Sequence, residues 1–311
     1  MINDIESDVS TIDVFQGFKI IWKNKLLILL ITFIASVGSV IYALSLPNYY
    51  TSSALLSQKD GSSSEGLLSQ YSGIASMAGI SLPSGGGVEN KTDIAIAILQ
   101  SRYFLEQISE DIENFRPIII ASKAYDQVND SIIFDTKIYD KKNNLWVRKV
   151  RPPTPKEPSL LELHKVFNKE VFSFDVDKKT GFISLYVELV SPRHAEEFLT
   201  IIISNLNEIS RKQALLEADQ SLGFLEEEFL QASQVTLKNS ISKLSDIELK
   251  KKMMAKINKD FLLKVIDPPF VPEFKSKPSR AIICILGFML GIITSLVLIF
   301  IKELFVKKQS K

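Results

Sequence analysis

Two stretches of the chain, Leu26–Leu46 and Ala281–Ile301, each run for 21 residues without a charge. The first holds 13 Leu, Ile, Val or Phe and the second 14. At about 1.5 Å per residue, either stretch as a helix reaches roughly 30 Å, the thickness of a bilayer's hydrocarbon core. Each such residue favours insertion by about 0.3–0.6 kcal/mol, so either run gains several kcal/mol in a membrane. Two buried core helices would instead need protein around them on every face. The pattern therefore predicts two membrane spans. Ala43-Leu44-Ser45 has the small residues a signal peptidase accepts. The first run is nonetheless longer than the usual ~7–15 residues, and 25 residues with four acids precede it, so the span is expected to stay uncleaved.

Between the spans the period changes several times. Tyr49–Ser57 has strand composition, and Gly61–Gly87, rich in glycine and serine, reads as a loop. Thr92–Ile112 opens with a capping residue and repeats apolar positions at helical spacing, which predicts one helix. Ser131–Tyr139 reads as a strand, and Arg151–Ser159 as a proline-rich connector. Val171–Val190 alternates on both sides of Lys178–Gly181, the pattern of a hairpin. Ser191 and Pro192 then open a helix as N-cap and first helical residue. From there to about Asp260 there is no further proline and one glycine, Gly223. Phe198, Leu199, Ile202, Leu206, Ile209, Leu216, Leu222, Leu225 and Phe229 recur near a 3.6 period. About 70 helical residues would reach roughly 100 Å, with a break near Gly223 or Ser233 as the alternative. Such a helix needs partners along its side, from other helices or other subunits. Phe261–Asp267 reads as a final strand. Ahead of the first span, Ser10–Lys25 places Ile12, Phe15, Phe18 and Trp22 three or four apart, which suits either a helix lying in the membrane surface or the first turns of the span itself.

Charge adds topology. Lys19, Lys23 and Lys25 precede the first span and no charge follows until Lys59, so the N-terminus is expected in the cytoplasm. Two spans return the C-terminus to that side. Lys275, Lys277 and Arg280 belong to a loop too long for the charge rule to count. The expected layout is a cytoplasmic segment 1–25, span 26–46, an external domain 47–280 with its connector 268–280, span 281–301 and a cytoplasmic tail 302–311. With 37 basic and 36 acidic residues, the net charge of +1 gives no nucleic-acid surface. The single cysteine, Cys284, excludes an internal disulfide framework.

Candidate chemistry is sparse. His164 and His194 have no companions at ligand spacing and read as solvated surface residues. Glu196-Glu197 and Glu226-Glu227-Glu228 fan around a helix rather than converge. Gly85-Gly86-Gly87 lacks the spacing and lysine of a phosphate loop. No catalytic, cofactor-binding or metal-ligating residue is expected. The ten residues after the second span leave no room for a cytoplasmic kinase domain.

The stretch "PPFVPEFKSKPSRAIICILGFMLG", Pro268–Gly291, resembles the proline-rich second-span signature of the Wzz-type polysaccharide co-polymerases, the O-antigen chain-length determinants. Pro269, Pro272, Pro278, Arg280, Gly287 and Gly291 fill the positions of that pattern, with the basic residue one place late because Ser279 intervenes. "IDVFQGFKIIWKNK", "YYTSSALL", "GIASMAGISLPSGG", "TDIAIAILQSRYFLEQI" and "KVIDPPFVPE" are similar to the family in the same order. The resemblance implies an α+β membrane protein. Two transmembrane helices would flank a periplasmic domain with a small membrane-proximal sheet and a long protruding helix. It implies a non-enzymatic inner-membrane scaffold without cofactors. The implied partners are further copies of itself, the bilayer, a membrane-embedded polysaccharide polymerase and its lipid-linked glycan. The implied role is to regulate O-antigen length in lipopolysaccharide biosynthesis. A capsule or exopolysaccharide export subunit working with a separate tyrosine kinase is the alternative. On physical grounds the prolines stiffen the connector and deny it backbone donors, so neither neighbouring helix continues through it. Lys275, Lys277 and Arg280 are expected near lipid phosphates, and Gly287-x-x-x-Gly291 leaves a flat stripe for a second helix.

Overall fold

In a computed structural model, residues 21–58 and 91–309 are described. They divide into two compact units, one ending at Asn48 and resuming at Ser276, the other within Tyr49–Lys275. The loop expected over Gly61–Gly87 and most of Ser10–Lys25 lie outside the described residues.

In chain order the elements begin with α1 (Lys25–Ser45), β1 (Tyr50–Gln58), α2 (Lys91–Leu99), α3 (Arg102–Asp111) and α4 (Phe115–Ala121). Four short strands follow: β2 (Ser122–Asp126), β3 (Ser131–Phe134), β4 (Tyr139–Asp140) and β5 (Leu145–Trp146). Then come α5 (Leu160–Val166), a π-helical turn (Phe167–Val171), β6 (Phe172–Val176) and β7 (Ile183–Leu189). The chain ends with α6 (Pro192–Gln231), α7 (Val235–Ile257), β8 (Leu263–Asp267) and α8 (Arg280–Gln309).

The second unit is built on an antiparallel sheet of order β6-β7-β1-β8. Alternation sets its buried face: Tyr50, Ser52, Ala54 and Leu56 on β1 lie opposite Leu189, Val187, Leu185 and Ile183 on β7, and all eight are buried. α6 packs across β1 and β7 and adds Phe198, Leu199, Ile202 and Leu206 to the core. Stacked rings extend that core, with Phe115 5.4 Å from Phe198 and Phe167 5.5 Å from Phe172. The β6–β7 turn falls where the alternation stops. Asp177 takes the N–H of Lys179 and the hydroxyl of Thr180, and Gly181 adopts φ +71°, a conformation that glycine enters without a Cβ penalty.

Two expectations need correction, and a third is decided between its alternatives. The single helix over Thr92–Ile112 is two. Ser101 Oγ accepts the N–H of Phe104 and starts α3 in a new direction, so both Ala95 and Leu99 of α2 and Phe104, Leu105 and Ile108 of α3 become buried. The strand over Ser131–Tyr139 stops at Phe134. Asp135 donates its N–H to Ala121 O at 2.8 Å, and its own carbonyl accepts from Ile138 and Tyr139, which makes a turn.

The long helix breaks at the second of the two expected points, Ser233, and is not a ~100 Å rod: the chain turns back at Ala232–Gln234, and α7 runs antiparallel beside α6. Lys238 Nζ lies 5.2 Å from the centre of the Phe229 ring, and Lys252 pairs with Asp219. α6, with 40 residues, is about 60 Å long. Gly223 sits inside α6 without breaking it, because two long flanks absorb a cost of about 1 kcal/mol. Turning back buries Ala218, Ala232, Ile241 and Ala255, which lie along the hairpin. The partner along the helix is thus supplied by the same chain.

Candidate functional site: the paired apolar helices and the connector

α1 and α8 pack on each other and form the first unit. Both are long and apolar enough to cross a membrane, with mean hydropathies of 2.4 and 2.8 over an 18-residue window within Lys25–Ser45 and Arg280–Lys302. Most of their surface is uncovered, and Leu26, Leu29, Phe33, Ile285 and Leu290 are all more than half exposed. Protein does not surround them as it would surround core helices.

What holds the pair is absence of bulk. A Cβ on Gly287 would lie 2.2 Å from Ser39 Cβ, and one on Gly291 would lie 2.9 Å from Ala35 Cβ and 3.1 Å from Thr32 Cα. The two glycines thus let the helices approach to backbone contact, where many small dispersion terms add. Ser295 and Ile299 continue the buried line on α8, as Thr32 and Ala43 do on α1. The serines do not reach across. Ser36 and Ser39 donate to Thr32 O and Ser36 O, each at 2.8 Å, and Ser295 donates to Ile292 O at 2.7 Å. At the end of the pair, Arg280 Nη2 donates to Asn48 Oδ1 at 3.0 Å, joining the start of α8 to the residues just past α1.

The other motif residues fall as follows. Pro278 is half-buried in the first unit, beside Arg280 in sequence. Pro269 and Pro272 belong to the second unit, Pro269 half-buried and Pro272 buried. Their segment is strapped to the sheet: Ser52, fully buried on β1, donates Oγ to Phe270 O at 2.8 Å. Prolines leave this stretch poor in backbone donors, and a side chain from the sheet provides the fastening.

Pro269 also lines an open groove of about 790 Å³ at the base of the helical hairpin, with Glu196, Asn207, Arg211, Lys256 and Lys259. Two of its acids, both on α6, are engaged by neighbours on the same helix. Glu196 accepts from Thr200, and Arg211 and Lys212 hold Glu208, whose carboxyl they keep below the usual carboxylate range. That is the arrangement of a solvated helical face. Among the described residues no three of His, Cys, Asp and Glu stand close enough to hold a metal.

Both histidines are half-buried, and each is held by a hydrogen bond. His164 Nε2 lies 2.7 Å from Gln100 O, and His194 Nδ1 lies 2.8 Å from the Ser191 hydroxyl that caps α6. Burial pushes the His194 imidazole below its ordinary value, so it is neutral at neutral pH.

Sequence reasoning missed several positioning residues. Thr32, Ala35 and Ser39 are small residues at helical spacing in the first apolar run, and that spacing was the available signal. Asn48, Ser52 and Asn207 carry none, since each acts on a partner more than 50 residues away.

Residues 10–112, from ahead of α1 to just past α3, match the family model of Wzz, chain length determinant protein. It is the family that the motifs of this sequence resemble. Solved structures similar to the chain include a full-length bacterial polysaccharide co-polymerase, 12% identical over 96% of this chain and 99% of that chain, with a TM-score of 0.41. Another is a fragment of WzzB, a polysaccharide co-polymerase from Salmonella Typhimurium, 11% identical over 74% of this chain and 100% of that chain, with a TM-score of 0.29. No curated protein matches the chain.

Proposed function

We propose that this protein is a non-enzymatic, oligomeric inner-membrane scaffold that regulates polysaccharide chain length. It acts with a membrane polymerase on lipid-linked repeats and sets O-antigen length in lipopolysaccharide biosynthesis. The observation that carries the reading is the match of residues 10–112 to the chain length determinant family. The paired apolar helices support it, because their uncovered surface suits lipid and their lysine-flanked start favours a cytoplasmic N-terminus. In this reading α1 and α8 cross the membrane side by side. Arg280 and the neighbouring lysines stand at the headgroup level, and the residues between the spans lie in the periplasm. The prolines and the Ser52 strap then order the connector, and the glycine contacts hold the two spans together.

The test is a gel ladder of lipopolysaccharide from the source strain with the gene deleted and then restored. Loss of the modal cluster on deletion and its return on restoration is the expected result. An untouched ladder, with a fall in capsule or secreted polysaccharide, would assign the protein to polysaccharide export instead.

A further inference from the structure

Both chain connections to the apolar helices leave the sheet of the second unit at one end. Residues 46–49 alone separate the last residue of α1 from Tyr50, the first of β1. β8 runs antiparallel to β1, and the chain beyond it is fastened at Phe270 by Ser52 before α8 starts at Arg280. The turn between β2 and β3 lies at the same end. Gln127 Nε2 donates to the Tyr50 hydroxyl at 3.2 Å, and Arg193, four residues past β7, pairs with Asp130 at 2.8 Å. The β6–β7 turn, with Lys178, stands at the opposite end, where Ile183 pairs with Leu56.

That first end is apolar where water favours polar groups. Val128, in the β2–β3 turn, is 92% exposed, and Phe270, Val271 and Phe274 are exposed by 50, 50 and 83%. None of these side chains has a polar atom to offer water. The three on the connector are also held out rather than loose, because Ser52 bonds the Phe270 carbonyl and Pro272, between Val271 and Phe274, is buried. Apolar groups gathered at one end of a folded unit mark a surface that something covers.

Connectivity and charge identify the cover. Fully extended, residues 274–280 or 45–50 reach about 20 Å at most. Whatever lies against this end is therefore within reach of the points where the apolar runs stop. Residues 274–280 carry three bases and no acid, which suits lipid phosphates. Phenylalanine and aliphatic side chains with bases beside them are what interfacial segments place at the boundary of headgroups and acyl chains. We infer that this end of the second unit rests in the bilayer surface. Phe270, Val271, Phe274 and Val128 enter that boundary, and Lys275 meets phosphates. The inference rests on the reading of α1 and α8 as membrane spans and adds an attachment of another kind. The body between the spans is held at a fixed depth by its own side chains, instead of hanging from two tethers.

The experiment uses the full chain in lipid nanodiscs with Cys284→Ala as background. Single cysteines replace Phe274, Val128, Lys178 and Leu290, each carrying an environment-sensitive fluorophore. The labels at 274 and 128 are expected to be blue-shifted, quenched by lipids with a nitroxide just below the headgroups, and shielded from iodide in the water. The label at 178 should show the reverse. Iodide quenching at 274 equal to that at 178 would mean that the connector stands in water and would overturn the inference. A label at 274 shielded from iodide and from nitroxide lipid alike would mean that protein covers it, and would overturn it too. Leu290, exposed on α8, separates the two readings. Quenching at 290 by deep nitroxide lipid without quenching at 274 leaves the spans standing and removes the footing, whereas no quenching at 290 removes the spans themselves. As a second measurement, Phe270→Ser with Phe274→Ser should open a label at Val128→Cys to iodide. Unchanged shielding there would show that the two segments do not share one footing.

Discussion

Asn207 and Leu263 bind each other twice: Asn207 Nδ2 donates to Leu263 O at 3.0 Å, and the Leu263 N–H donates to Asn207 Oδ1 at 3.0 Å. The N–H of Leu262 joins the same oxygen at 2.9 Å. One buried amide on α6 therefore fixes where the chain leaving α7 enters β8. Asn207→Ala strands these backbone groups away from water, at about 1–3 kcal/mol for each group left unpaired. A loss on the order of 3 kcal/mol, with a clearly lower thermal midpoint of the full chain in detergent, is the expected outcome. An unchanged midpoint would show that the clasp carries no stability.

The seam between α1 and α8 predicts a rescue. Gly287→Ala places a methyl group 2.2 Å from Ser39 Cβ, which forces the helices apart. Ser39→Gly removes that obstacle and leaves the nearest Ser39 atom, Cα, at 3.7 Å. The double variant should recover the thermal midpoint that Gly287→Ala loses. Equal losses in both would mean that the steric reading of the seam is mistaken. Gly287→Leu with Gly291→Leu should go further and broaden the glycan length distribution at normal protein levels.

Arg148 clamps the proline-rich segment and ties it to α5. Its guanidinium donates to the carbonyls of Pro155 and Lys156 and forks onto the Glu162 carboxylate, with Nη2 2.7 Å from Oε2. The bond to Arg148 holds the Glu162 carboxyl below its ordinary value of about 4.5. A depressed carboxyl stabilises the fold above that ordinary value, and the contribution fades as pH falls through the lowered one. Glu162→Gln should therefore unfold more easily than the parent at pH 7, and the gap should close toward pH 3. A gap that persists unchanged in acid would assign the effect to something other than this charge.

Ser52 offers a local test. Ser52→Ala deletes the donor to Phe270 O, at about 1 kcal/mol for a typical hydrogen bond. Faster proteolysis within 268–275, with the global midpoint little changed, is the expected signature of a loosened strap. Cleavage rates equal to the parent's would mean that the strap does not restrain the connector.

Much of the fold was legible because short-range physics wrote it. Uncharged runs of bilayer length became α1 and α8, and strict alternation became the β6–β7 hairpin around a glycine that needs positive φ. Ser191 and Pro192 opened α6 as a cap and first-turn pair do. Where prediction went wrong, the deciding contact was remote. Residues 232–234, Ala-Ser-Gln, contain neither proline nor glycine, so local composition offers Ser233 only as one of two break points and does not show that α7 folds back along α6. Ser101 and Asp135 ended elements because burial on either side rewarded a change of direction, although helical or strand spacing ran on through them.

The sequence by itself determined where the apolar runs lie, which residues alternate toward a sheet, where proline stiffens the connector, and that small residues recur on the second apolar helix. Each of these depends on neighbours within a turn or two, where backbone geometry and side-chain spacing act directly. Tertiary structure decided that the glycines of α8 meet Thr32, Ala35 and Ser39 of α1, and that Ser52 fastens the connector. It also decided that the break falls at 232–234 rather than near Gly223, and that the chain folds back there into a hairpin clasped by Asn207. Those contacts join residues far apart in the chain, and which of many possible closures wins depends on the burial and hydrogen bonding of the whole assembled unit.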